Sequence, residues 1–127
     1  NRNCFYQFVE GGYHFGLQFT NKTGNDTKEI DLYTKFATIS EGEKYQLNIP
    51  YSPFHNPGRG GGYSHRNFTE KIEDLYYTTS EATGEMTITK LDFENNIVSG
   101  TFWFDAVNDD GEIVEIRKGR FDMRFTQ

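Results

Sequence analysis

Disulfides, long apolar runs and a basic face are all missing from this chain. Its single cysteine, Cys4, excludes an intramolecular cross-link, so the domain is expected to rest on its core in any redox compartment. No stretch approaches the roughly 20 apolar residues that a spanning helix needs, which reads as a soluble chain. Asn1-Arg2-Asn3-Cys4 holds no apolar signal segment, and opening directly on a strand-like stretch is what a trimmed piece of a longer chain would do. Acidic residues outnumber basic ones, 19 to 13, for a net charge of −6. A phosphate backbone would meet overall repulsion, so nucleic acid is not an expected partner. Alanine and leucine, the strong helix formers, are scarce.

What is abundant is aromatic. Twelve Phe, eight Tyr and one Trp supply much of the 35% apolar content, and 127 residues suit one domain with one ring-rich core. Rings and β-branched side chains fit a half-buried pleated surface. Period-two alternation predicts strands over 4–9 and 13–20, joined at Gly11-Gly12, with Tyr13, Phe15, Leu17 and Phe19 on one face. The polar stretch 21–27 reads as an exposed loop, followed by strands over 29–36 and 44–49. Residues 50–67 hold all three prolines and four glycines without periodicity, and are expected to form a long irregular loop. Asn67 followed three residues later by Glu70, with Phe68, Ile72 and Leu75 spaced for one helical face, predicts a helix of two turns at most.

The last third predicts three strands in a meander. The phase of the apolar residues shifts between Ile88 and Leu91, implying a bulge near Lys90, and slips again around Gly119. Asn95-Asn96 and Asn108-Asp109-Asp110-Gly111 supply the turns, and Val98, Gly100, Phe102, Phe104 and Ala106 share a face. About eight strands with short turns and no βαβ alternation predict an all-β antiparallel sandwich or up-and-down barrel, in a single domain over 1–127.

No catalytic signature emerges. His14, His55 and His65 lack the paired short spacing of a zinc site, so no metal is expected and none of the three is assigned as a ligand. Gly58-Arg59-Gly60-Gly61-Gly62-Tyr63 has the glycines of a phosphate cradle but neither the Lys-Ser/Thr nor the following helix, so no nucleotide cofactor is expected. Glu70, Glu73 and Asp74 cluster as a glycosidase pair would, although in so acidic a chain such clusters usually mark a solvated face. Cys4 reads as a small buried residue of the first strand rather than a lipid-bearing one, since Arg2-Asn3 precede it. Trp103 lies opposite the Phe102 and Phe104 face and would point outward from a one-sided sheet. With Tyr33, Tyr76 or Tyr77 it would make a flat aromatic platform for a sugar or partner surface, beside Arg59, Tyr63 and His65 of the glycine-rich segment; the alternative, which the usual burial of Trp favours, is a strand covered on both faces by a second sheet or the long loop.

The segments Gly84-Glu85-Met86-Thr87-Ile88-Thr89-Lys90-Leu91-Asp92, Ile97-Val98-Ser99-Gly100-Thr101-Phe102-Trp103-Phe104 and Lys118-Gly119-Arg120-Phe121-Asp122 resemble a domain-of-unknown-function family. It comprises small secreted or envelope lipoproteins of Bacteroidetes-type bacteria. The likeness covers the C-terminal third and rests on strand and turn residues. It implies an exported protein at the cell envelope with no catalytic residues to carry over, tied to a membrane only through a lipid anchor that this sequence lacks. In that setting the acceptor triplets at Asn21, Asn25 and Asn67 are chance matches. The expectation is therefore a non-catalytic module binding a protein or glycan. Two alternatives stand beside it: a lipocalin-like barrel for an apolar small molecule, and a hydrolase using Glu70 or Glu73 near His65.

Overall fold

A computed structural model describes residues 2–51 and 57–127. Among the described residues there are nine strands and no helix. They are β1 (Arg2–Val9), β2 (Gly12–Thr23), β3 (Asp26–Lys35), β4 (Lys44–Leu47), β5 (Gly58–Asn67), β6 (Ile72–Tyr77), β7 (Gly84–Asp92), β8 (Ile97–Val107) and β9 (Ile113–Arg124). All the strand pairings are antiparallel and form one sheet in the order β1-β2-β3-β5-β6-β8-β7-β4, with β9 on the other side of β8. The sheet does not close into a barrel. It folds over instead, so that β1-β2-β3-β5 faces β4-β7-β8-β9 across a shared core.

Facing rings fill that core: Phe15 lies 6.3 Å from Phe121, Phe19 stacks at 6.3 Å on Phe102, and Tyr6 meets Phe125 edge-on at 6.2 Å. Phe15, Leu32, Leu47, Ile88, Val98 and Phe104 have essentially no exposed surface. Burying each of these contributes about 1.5–3 kcal/mol. The alternation expected for β8 is seen without exception, with Val98, Gly100, Phe102, Phe104 and Ala106 all buried.

Backbone hydrogen bonding joins the two halves at three places. β6 pairs with β8 at the single position Tyr77 and Val107, and β4, edge partner of β7, is followed by Asn48 and Ile49, whose N–H groups both donate to the Arg59 carbonyl of β5. Beyond β9, the Thr126 N–H donates to the Cys4 carbonyl at 3.1 Å, and the Thr126 carbonyl accepts from the Tyr6 N–H at 2.9 Å, covering the edge of β1. Cys4 is buried, as its strand position implies, and burial pushes its thiol up to about 12.

Both predicted bulges are present. The register shifts between Ile88 and Lys90 on β7, and on β9 two residues, Arg117 and Lys118, oppose the single Trp103. Three expectations are corrected. The loop over 21–27 shrinks to Gly24-Asn25, because Thr23 pairs with Asp26 across a two-residue turn whose first position, Gly24, takes φ +61°. The glycine-rich half of the expected loop over 50–67 is β5. Its glycines carry no side chain to show alternation, yet neighbouring rings cover them: a Cβ on Gly61 would fall 2.9 Å from the Phe104 ring, and one on Gly60 2.7 Å from the Tyr33 ring. The helix from Asn67 is a tight turn into β6; Asn67 Oδ1 accepts from the Glu70 N–H, but positive φ at Lys71 reverses the chain. His55 and Pro53 lie outside the described residues.

The fit of rings over glycines makes a direct test. A Cβ at Gly100 would sit 2.3 Å from the Thr87 carbonyl oxygen and 2.5 Å from the Phe121 ring, whereas one at Gly111 meets nothing within 4 Å. In urea denaturation, Gly100→Ala should lose at least about 2 kcal/mol through overpacking. Gly111→Ala should lose only the backbone strain of its positive φ, about 1 kcal/mol.

Candidate functional site

The residues expected to share one aromatic platform are distributed over different surfaces. Trp103 is on the outer face of β8, whereas Tyr33 and Tyr77 are on the outer face of the opposite half. Tyr76 turns toward the core and packs against Tyr63 at 5.8 Å, so these two rings are also apart from Trp103. Arg59 is held in place: its guanidinium lies 4.3 Å over the Tyr45 ring and donates to the Thr38 carbonyl at 2.9 Å. His65 Nε2 is 2.6 Å from Asp26 Oδ1, and Asn67 Nδ2 donates to the same oxygen. Those hydrogen bonds, His65 foremost, hold the Asp26 carboxyl below its usual range. The separation has one physical cause: the glycine-rich segment is a strand of the first half, so Arg59, Tyr63 and His65 travel with β3 rather than with β8.

The carboxylates considered for hydrolysis are not gathered either. Glu73 pairs with Arg66 and Asp74 with His65, which puts them on opposite faces of β6, and Glu70 is exposed in the turn. No group of three potential metal ligands occurs among the described residues. The closed barrel on which an apolar-ligand reading depends is not formed.

Two surfaces have the shape and chemistry of sites. On the outer face of β7-β8-β9, Trp103 is 37% exposed and lines an open groove of about 640 Å³. The bulge opposite it delivers Arg117, whose guanidinium lies 5.1 Å from the indole and donates to Asp105 at 2.6 Å and Glu115 at 2.8 Å. Lys44, Lys118 and Arg120 line the rest of the groove with Thr87 and Thr101, and Glu85 is its one carboxylate. Lys44 reaches Glu85 only at 3.9 Å, and among the described residues Lys118 and Arg120 make no ion pair. The indole thus shares its groove with four cations, of which Arg117 is held by Asp105 and Glu115 while Lys118 and Arg120 have no ion pair among the described residues, in a protein whose overall charge is negative.

On the outer face of the other half, a cleft of about 430 Å³ crosses β1, β2, β3, β5 and β6. Asp31 stands at its floor. Burial and the neighbouring Glu29 raise its carboxyl from 3.8 to about 6, against a hydrogen bond from Gln18.

A family model described as a domain of unknown function, DUF6252, matches residues 10–123. The chain belongs to the DUF6252 family. No curated protein and no solved structure matches it. In this DUF6252 domain the second cleft escaped sequence reasoning. Glu29, Asp31 and Tyr33 alternate along β3 as any solvated strand face does, and only the pairing of β3 with glycines on β5 sinks them into a recess.

The sign of the Asp31 shift gives an expected pH dependence. An acid whose folded pKa is raised opposes folding when ionised: the cost is complete above pH 6 and disappears as pH falls toward 3.8. Asp31→Asn should therefore raise the thermal midpoint by about 3 °C at pH 7–8. The gain should vanish near pH 4 in melts followed by circular dichroism.

Proposed function

We propose that this domain is an exported, non-catalytic binding module that holds an acidic glycan against Trp103. The observation that carries this reading is the indole itself, flat, partly exposed and surrounded by Lys44, Arg117, Lys118 and Arg120. A pyranose offers one face of C–H groups, which pack on an aromatic ring, and its carboxylate or sulfate substituents suit the surrounding cations. Thr87 and Thr101 supply hydroxyls for the remaining polar groups. Export is supported by the likeness of the β7–β9 segments to small envelope lipoproteins. The non-catalytic character is supported by the groove's chemistry: among the described residues its lining holds one carboxylate, Glu85, where a glycosidase needs a pair, and the nearby Asp105 and Glu115 are engaged by Arg117.

Trp103 is the chain's one tryptophan, so its fluorescence reports this groove alone. Titration with polygalacturonate or a sulfated polysaccharide should give a saturable change that weakens steeply as salt rises. Trp103→Ala, followed by calorimetry, should weaken binding about tenfold or more, roughly 1.4 kcal/mol. Arg120→Gln should weaken it less and flatten the salt dependence. Equal binding of neutral dextran, or stronger binding of a single-stranded oligonucleotide, would overturn the assignment.

A further inference from the structure

The cleft over β3 is the second built surface of the molecule, and its composition differs from that of the Trp103 groove. Its walls are rings. Phe5 lies over Gly16, where a Cβ would fall 2.2 Å from the Phe5 ring, and Tyr77 lies over Gly62, with 3.1 Å to the same hypothetical atom. Tyr51 stacks on Tyr77 at 6.1 Å and meets Tyr33 edge-on at 5.8 Å. Burial pushes the Tyr33 hydroxyl up, and it donates to the Ile49 carbonyl at 2.9 Å, which fixes that ring in place. The glycines keep the floor low, and the rings stand above it.

The polar groups between these rings are of both signs. Asp31 hydrogen-bonds Gln18 and Glu29, and Glu29 also accepts from the Thr20 hydroxyl at 3.1 Å. Arg66 lines the same cleft, so a guanidinium stands beside the two carboxylates. A simple cation entering here would face that guanidinium. A simple anion would face Asp31 and Glu29. A neutral polyol answers both, because each hydroxyl donates to a carboxylate and accepts from an N–H. A cleft of this volume has room for one or two hexose rings, whose C–H faces suit the walls of Tyr51 and Tyr77.

We infer that this cleft is a binding site for an uncharged saccharide, with Asp31, Gln18 and Arg66 reading its hydroxyls and Tyr51 and Tyr77 holding its apolar face. The site is on the opposite half of the sheet from Trp103 and does not rest on the reading of that groove. A single sugar held by this many contacts should bind at about millimolar strength.

The test is amide chemical-shift mapping of the full chain titrated with glucose, galactose, mannose and N-acetylglucosamine. Tetramethylammonium, acetate and glutamine serve as cationic, anionic and zwitterionic competitors. At least one sugar should give saturable shifts centred on Gln18, Asp31 and Gly62, and the three charged probes should give none there. Asp31→Asn should weaken that binding at least tenfold while leaving the melting temperature at pH 7 equal or higher, which separates loss of the site from loss of the fold. Tyr51, 54% exposed, is removable with little effect on packing, and Tyr51→Ala should weaken binding severalfold. The assignment fails if no sugar shifts these amides, if a charged probe saturates them instead, or if Asp31→Asn binds as the unaltered protein does.

Discussion

Rings lying over strand glycines, on a paired strand or across the core, are the contact on which this fold depends. Gly61 lies under Phe104, Gly100 under Phe121 and Gly119 under Phe102 inside the core, while Gly16 under Phe5 and Gly62 under Tyr77 repeat the arrangement on the outer face. A strand glycine alone weakens a sheet, since it has no side chain to pack and loses more backbone freedom than any other residue. A ring placed across it recovers the lost contact area. The abundance of Phe and Tyr and the glycines on β5 are therefore two halves of one device. On the inside it brings the two halves of the sheet close enough to share Phe15, Phe19 and Phe121; on the outside it hollows the cleft around Asp31.

The strands that alternate cleanly were legible in the sequence, and so were the two bulges, because a slip of phase between Ile88 and Leu91 or around Gly119 has no other simple cause in an antiparallel pair. β5 was not. Alternation is read from side chains, and Gly60, Gly61 and Gly62 have none, so a strand whose packing surface is supplied by Tyr33, Phe104 and Tyr77 looks like a loop. Misreading β5 also put Arg59, Tyr63 and His65 on the wrong surface, next to Trp103. That Trp103 opposes the Phe102 and Phe104 face was readable from its place between them; that this face is open to solvent was not, since a Trp is usually buried. The pairing of Arg117 with its ring was not, because that depends on which residues the β9 bulge sets opposite it.

The two outer faces differ in how they are made. The Trp103 groove owes its cations to the bulge, which turns Arg117 onto the indole and leaves Lys118 and Arg120 on the rim. The Asp31 cleft owes its depth to missing side chains. One face presents a ring in the open, with Lys118 and Arg120 in its groove and Arg117 held over it by Asp105 and Glu115. The other holds charges of both signs between rings, where burial and the neighbouring Glu29 raise the Asp31 carboxyl to about 6. Apart from Tyr51, which lies in the connection between β4 and β5, both faces are framed by strand positions, so the sheet register sets most of their geometry.

The short strand β4 has a consequence for how the chain is divided. It follows β3 and precedes β5, both in the first half, yet it pairs with β7 in the second, and the two residues after it return to hydrogen-bond with Arg59. A cut between β4 and β5 would leave β4 on one fragment and its edge partner on the other. Neither fragment would hold a finished core: Leu47, with no exposed surface, would lose its burial, and Ile88 would lose the Glu43 carbonyl that its N–H reaches. The halves of this sheet are layers in space but not modules in sequence, so neither is a folding unit by itself.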